Sequence, residues 1–173
     1  MNRKIQIPTV YVDPAGPYKF QSGKNQNRFA EEIIFTDPAS IVAMYERMHA
    51  HPVKGEKNQL HKHLDWLLCK AQKLRPSALC PHCKKKQVRY FGVNWGCGGD
   101  ITENDTACED CSGILKTRPE TIVREICFEE IAKLYDPRMK GNTYDKGVRV
   151  FLWAHKIKQP LTAQQLFELL KQA

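Results

Sequence analysis

No apolar run in this 173-residue chain approaches the ~20 residues that a membrane-spanning helix requires. The opening stretch, MNRKIQIPTVYVDP, is too short in apolar residues and too interrupted by proline to read as a secretory signal. A soluble, cytoplasmic protein is therefore expected. Internal repeats and low-complexity tracts are missing. So are the Walker phosphate loop, the G-x-S-x-G elbow and the H-E-x-x-H zinc helix. GCGGD, residues 96–100, is a lone glycine-rich turn. No catalytic constellation is legible, and the expectation is a protein that is not an enzyme.

Two groups of residues come nearest to an exception. His49, His51, His61 and His63 are close in sequence, but residues two apart on a helix do not share a face. A metal-dependent nuclease built on them would need tertiary placement. Glu31, Glu32 and Asp37 have the chemistry of metal carboxylates, yet their spacing demands no metal, and they read as a solvated strand end.

What is present is a hydrophobic fraction of 42%, enough for a packed core, and a net charge of +8. The charge is not spread evenly. Residues 54–89 hold ten basic side chains, Lys54, Lys57, Lys62, Lys70, Lys73, Arg75, Lys84, Lys85, Lys86 and Arg89, against Glu56 and Asp65, and the rest of the chain is neutral. Residues 100–110 then carry Asp100, Glu103, Asp105, Glu109 and Asp110 with no basic residue among them. Such polarisation can draw a polyanion to one face, although a solvated helix face with a lysine-rich turn has the same composition.

Along the chain, Ile5, Ile7, Val10 and Val12 alternate around Pro8 and suggest short strands, YKFQSGKNQNRF suggests a hairpin or loop, and RFAEEIIF suggests a strand. Asp37-Pro38 is an N-cap followed by a first-turn proline, and Ile41, Val42, Tyr45 and Met48 predict a helix over 38–50. Leu60, Leu64, Leu67, Leu68, Ala71 and Leu74 predict an amphipathic helix closed by Pro76, with Cys69 on it and Trp66 flanking its apolar face. Thr117-x-x-Glu120 has the form of a capping box opening a helix whose stripe is Ile122, Val123, Ile126, Cys127, Ile131 and Leu134. Residues 144–158 fit a helix or a strand, and the helix is preferred. Thr162-x-x-Gln165 caps a last helix over about 163–171 that buries Leu166, Phe167 and Leu170. The expected class is α+β, mainly helical, with a small inserted β zinc ribbon. Its parts are an N-terminal portion 1–77, a cysteine block 78–118 and a helical segment 119–173 packed with the first.

The cysteine block carries the chemistry. Seven cysteines is an odd count, and a reducing compartment leaves thiols free for metal. Cys80-Pro-His-Cys83 and Cys108-Glu-Asp-Cys111 are two C-x2-C pairs separated by 24 residues. Each pair turns both sulfurs inward, and two such turns supply four thiolates in a tetrahedron suited to one structural Zn²⁺. His82 and Cys97 are competitors for a ligand position. Cys69 and Cys127 read as core.

The block resembles a zinc ribbon over roughly Ala78 to Arg118. QVRYFGVNW follows the first turn and SGILKT the second, both strand-like, and Lys84 stands where many ribbons carry a glycine. A treble clef is the alternative. Residues 20–68 bear a second resemblance, to the small C-terminal module of exonuclease X-like proteins, at Phe20, Gly23, Lys24, Asp37 and Pro38. The module's second glycine is replaced near Asn27. That resemblance implies company with DNA-processing proteins, not a nuclease site.

The expected function is nucleic-acid binding, within an assembly that handles DNA or RNA. Lys70, Lys73, Arg75, Lys84, Lys85, Lys86 and Arg89 would face phosphate. Tyr90 and Trp95 are candidates to stack on bases, and at least two of Tyr90, Phe91 and Trp95 are expected to pack inward. The rival expectation is an adaptor or inhibitor, of phage or mobile-element type, that acts on a nucleic-acid enzyme through an acidic partner surface.

Overall fold

A computed structural model describes residues 8–51, 56–94, 101–117, 119–135, 143–158 and 160–173. In chain order the elements are helices α1 (Ala30–Thr36), α2 (Pro38–Ala50) and α3 (Glu56–Lys73), strands β1 (Tyr90–Asn94) and β2 (Thr106–Ala107), helix α4 (Ser112–Leu115), strand β3 (Thr121–Glu125), and helices α5 (Phe128–Ala132), α6 (Thr143–Ala154) and α7 (Ala163–Lys171). A 3-10 turn, Glu103–Asp105, precedes β2. The chain divides into two units, Met1–Leu74 with Pro160–Ala173, and Arg75–Gln159.

The first unit is helical. Asp37 caps α2 by accepting from the Ser40 amide at 3.2 Å, with Pro38 at the first helical position. Thr162 and Gln165 form the reciprocal box that opens α7. The stripe of α3 buries Leu64, Leu67, Leu68 and Ala71, and Trp66 lies fully buried with its ring 4.9 Å from that of Phe167. Trp66 is therefore a centre of this core rather than a flank.

RFAEEIIF is not a strand. Ala30–Thr36 is helix α1, which packs on α2, α3 and α7 and buries Ile33, Ile34 and Phe35 together. A short apolar run does not reveal its period. Here Glu32 reaches back to the Phe29 amide at 3.2 Å, and two acidic residues sit in the first turn, where the helix dipole favours them. Tyr18 to Ala30 closes the expected loop, with Lys19 bridged to Phe29 and hydrogen bonds from Phe20 N to Arg28 O and from Asn27 N to Phe20 O. Gly23 (φ 80°) and Asn27 (φ 66°) both take left-handed backbone, and Asn27 is of the type that best tolerates it after glycine. Ile5 and Ile7 lie outside the described residues, while Val10 and Val12 are exposed and belong to no strand.

The second unit holds a three-stranded antiparallel sheet in the order β2-β1-β3. Tyr90 pairs with Ala107 on one side and Glu125 on the other, and Asn94 pairs with Thr121. β3 occupies the residues in which a helix was expected after Thr117. Thr121, Ile122 and Val123 are β-branched, and they fill the second edge of β1; Glu120, at φ 61°, makes the turn into the strand. Cys127 is the extended residue before α5 instead of part of a helical stripe. SGILKT likewise forms a helical turn, α4, not a strand. Within the segment 144–158 the chain is helical as far as Ala154, and Gly147 of α6 makes room for Leu134, just beyond α5, with which a Cβ there would collide.

The division at 74/75 and 159/160 differs from the boundaries expected at 77 and 118. Residues 119–159 group with the cysteine block because β3 pairs along the whole of β1 and α5 and α6 follow from it. Residues 160–173 group with the N-terminal helices through α7.

Candidate metal centre and the basic residues around it

The sheet brings the two cysteine turns together. The first turn precedes Tyr90 and the second follows Ala107, and these two residues are direct partners across β1 and β2. Both turns therefore lie at one end of the sheet. Leu79 bridges Gln87 across the first turn, where Cys80 N donates to Lys86 O and Lys84 N to Cys80 O, each at 2.8 Å. In the second turn Ser112 N donates to Glu109 O, and Cys111 leads directly into α4.

The sulfurs of Cys80, Cys83, Cys108 and Cys111 all lie within 4.8 Å of one another. Four sulfurs each about 2.3 Å from a central ion define a tetrahedron with edges of about 3.8 Å. The Cys83–Cys108 separation is 3.8 Å. Cys80 and Cys108 are buried, and Cys83 and Cys111 are half-buried. This donor set can hold one metal ion. No other cluster of three or more histidine, cysteine, aspartate or glutamate side chains has such spacing among the described residues. His82 is exposed and outside the cluster, and Cys97 lies outside the described residues. Cys69 and Cys127 are buried.

The turns also prepare the thiols for metal. Backbone amides of Lys86 and then Lys85 directed at Cys83 draw its thiol down to about 6. At Cys80 burial opposes ionisation, but the amides of Cys83, Cys108 and His82 leave it below the ordinary thiol range. Cys111 is pushed up to about 12, first by its hydrogen bond with Cys108 and then by burial. Cys111 therefore keeps its proton at neutral pH, and a cation bound there would have to displace it.

The acidic and basic segments meet around this centre. Lys86 pairs with Asp110 at 2.6 Å, and Arg89 with Glu109 at 3.1 Å and Glu125 at 3.4 Å. Two cations expected to face phosphate thus tie the first cysteine turn to the second and to β3. Lys84 and Lys85 are exposed and make no ion pair with a described residue. Arg89 also lies 5.5 Å from the ring of half-buried Tyr90, Phe91 is fully buried, and Trp95 lies outside the described residues. Arg75 is exposed in the same unit. Lys70 and Lys73 belong to the other unit, over the ring of Tyr11 at 5.8 and 5.3 Å. Of the remaining cations in the basic window, Lys62 is exposed on α3, and Lys54 lies outside the described residues.

The acids and histidines of the helical unit have structural places that the sequence did not reveal. Glu31 is fully buried and meets His63 Nε2 at 2.6 Å, while its other oxygen accepts from the Tyr18 amide. It is not a solvated strand end. His49 and His61 approach to 3.4 Å across α2 and α3 on an exposed face, with Tyr45 beside both. Burial and then the charge of Asp65 push the Tyr45 phenol up to about 12. Compared with protein-family models, with curated proteins and with solved structures, the chain matches none. The ribbon and exonuclease-module resemblances rest on the quoted residues alone.

Proposed function

We propose that the chain is a non-enzymatic zinc protein that binds the backbone of DNA or RNA, as a subunit or accessory of a larger processing assembly. The cysteine block is read as a zinc ribbon in which the metal is structural: four thiolates close the coordination shell and leave no position for substrate. The observation that carries the nucleic-acid reading is Lys84 and Lys85. Both project from a metal-binding turn, both are exposed, and neither has an acidic partner among the described residues, unlike Lys86 and Arg89 beside them. Contacts of this kind give affinity without sequence choice.

The test is fluorescence anisotropy with single- and double-stranded DNA and RNA across a salt series. Affinity should fall as salt rises, and Lys84→Ala/Lys85→Ala should flatten the log–log slope by up to about 2. Elemental analysis should give one zinc per chain. A zinc-loaded wild-type chain that binds none of the four at low salt overturns the reading. The protein–protein adaptor then takes its place, a reading favoured by an apolar groove in the Arg75–Gln159 unit that phosphate binding does not need.

A further inference from the structure

The groove, of about 700 Å³, lies in the Arg75–Gln159 unit. Its floor is aliphatic and indole: Leu79, just before the first cysteine turn, Leu152 and Trp153 from the end of α6, and Ile157 beyond it. Leu79 is 53% exposed, although it stands between buried Ala78 and buried Cys80. Its rim is cationic, with Arg149, Lys156 and Lys158 and no acidic residue lining it. None of the three makes an ion pair with a described residue.

Backbone geometry shows how the groove is built. Helix α6 ends with Lys156 N donating to Trp153 O and Ile157 N donating to Leu152 O, each at 2.9 Å. These are the two hydrogen bonds of a Schellman stop, which folds the following apolar residue back onto the last turn. Ile157 and Leu152 are the pair brought together. The residue at the left-handed position of such a stop is usually glycine, and here it is Lys156 at φ 54°. A lysine held where glycine costs less, on the rim of an apolar groove, is consistent with a use for its charge.

We infer that this groove docks an acidic amphipathic peptide segment of a partner protein, with aliphatic side chains on the Leu79–Leu152–Ile157 floor and carboxylates on Arg149, Lys156 and Lys158. Charge complementarity selects the occupant: three cations around an apolar floor suit a helix with aliphatic residues on one face and acids beside them. Single-stranded nucleic acid fits less well, because base binding uses aromatic platforms and only Trp153 is aromatic here. The inference does not depend on nucleic-acid binding by Lys84 and Lys85.

A library of short random peptides, selected on the zinc-loaded full-length chain and counter-selected on Leu79→Ser/Trp153→Ala, tests it directly. Both residues of that variant are at least partly exposed, which limits its cost to folding. Enriched peptides should combine net negative charge with aliphatic residues at helical spacing. A fluorescein-labelled winner should lose at least about tenfold in affinity on the variant. Lys156→Gly separates docking from folding: it should raise the unfolding midpoint and yet weaken the same peptide. No enrichment, winners without acids, or equal binding to the variant each overturn the inference. Full competition by oligothymidylate would assign the groove to nucleic acid instead. Sedimentation as a dimer that Leu79→Ser dissolves would assign it to a second copy.

Discussion

The two units are held together by different means. Met1–Leu74 with Pro160–Ala173 buries Trp66, Phe35, Phe167, Ile33, Leu64 and Leu67 among four helices, and one of them, α3, is 18 residues long. Arg75–Gln159 has strands of five, two and five residues. Three of its cysteines are buried, Cys80 and Cys108 in the cluster and Cys127 outside it. This unit has an apolar core of its own, with Phe91, Val93, Ile126, Phe128, Ile131 and Phe151 buried, and an ion held by the four clustered cysteines would add to what that packing supplies. The polar groups inside each unit follow the same division. Among the described residues, one unit buries the Glu31–His63 pair, and the other gathers four cysteines that can hold an ion.

Removing the metal should separate the units most sharply. A structural zinc contributes ~10–16 kcal/mol in isolated zinc-finger peptides. Cys108→Ser should abolish loading and expose the amides of β1, β2 and β3 to hydrogen exchange, while α1, α3 and α7 keep their protection. Equal loss in both units, or a fully protected sheet without metal, would defeat the comparison. Acid should act in the same direction. A folded thiol near 6 lies below the ordinary thiol value of about 8.5, so Cys83 stabilises the fold above that ordinary value and the contribution disappears as pH falls through about 6. A bound ion would hold the thiolates deprotonated past the metal-free value, so zinc release, followed with a chromogenic indicator, should set in only below about pH 6.

The converse experiment breaks the helical unit. Glu31 is buried against His63, which is flanked by Tyr18 and Trp66 with ring centroids 5.5 Å away on each side. Removing one partner of a buried hydrogen bond leaves the other unsatisfied, at a cost of about 1–3 kcal/mol. Glu31→Ala should lower the denaturation midpoint of this unit by an amount in that range and leave zinc content at its wild-type level. Loss of zinc from Glu31→Ala would show that the two units do not fold independently.

The sequence was most informative where one local rule decided the outcome. Asp37-Pro38, the α3 stripe and Thr162-x-x-Gln165 each specify a helix boundary or face without help from distant residues, and each element is present. The C-x2-C spacing predicted a cluster that the paired strands bring together. Segments that depend on a neighbour were misread. Residues 121–125 satisfy a helical stripe as well as a strand pattern, and only the open edge of β1 decides between them. Ala30–Thr36 looks like a strand until α2, α3 and α7 surround it. The ion pairs of Lys86 and Arg89 were hidden for the same reason, because Asp110, Glu109 and Glu125 lie 20 or more residues away in sequence.

Lys84 offers a smaller effect inside the metal unit. Its φ of 54° places a lysine in left-handed backbone directly after the second ligand, where many zinc ribbons carry glycine. Lys84→Gly should relieve this at a gain of about 1 kcal/mol, provided glycine's greater freedom in the unfolded chain does not cancel it. Thermal unfolding of the zinc-loaded protein measures the gain. Nucleic-acid affinity should move the other way, because an unpaired cation is lost. A variant that is more stable and binds more weakly separates the fold requirement at this position from the charge requirement. If affinity is unchanged, Lys84 does not face phosphate.

Lys86 should give the smallest change of all, although it belongs to the same run of lysines. Its ammonium lies 2.6 Å from Asp110, and the hydrogen bond to that carboxylate, followed by its charge, raises the lysine above its ordinary range. Both side chains are about 60% exposed, so salt and water screen the pair and its removal should barely shift the unfolding midpoint. For nucleic acid the pairing matters more. A cation already neutralised by a carboxylate adds little to the field that a phosphate meets, and using it would require breaking the pair. Lys86→Ala should therefore reduce affinity less than either Lys84→Ala or Lys85→Ala. Asp110→Ala should increase affinity by releasing Lys86, and should steepen the salt dependence by up to about one unit of log–log slope. If Lys86→Ala is instead the most damaging of the three lysine substitutions, the Asp110 pair does not persist in solution, and the whole run faces the ligand.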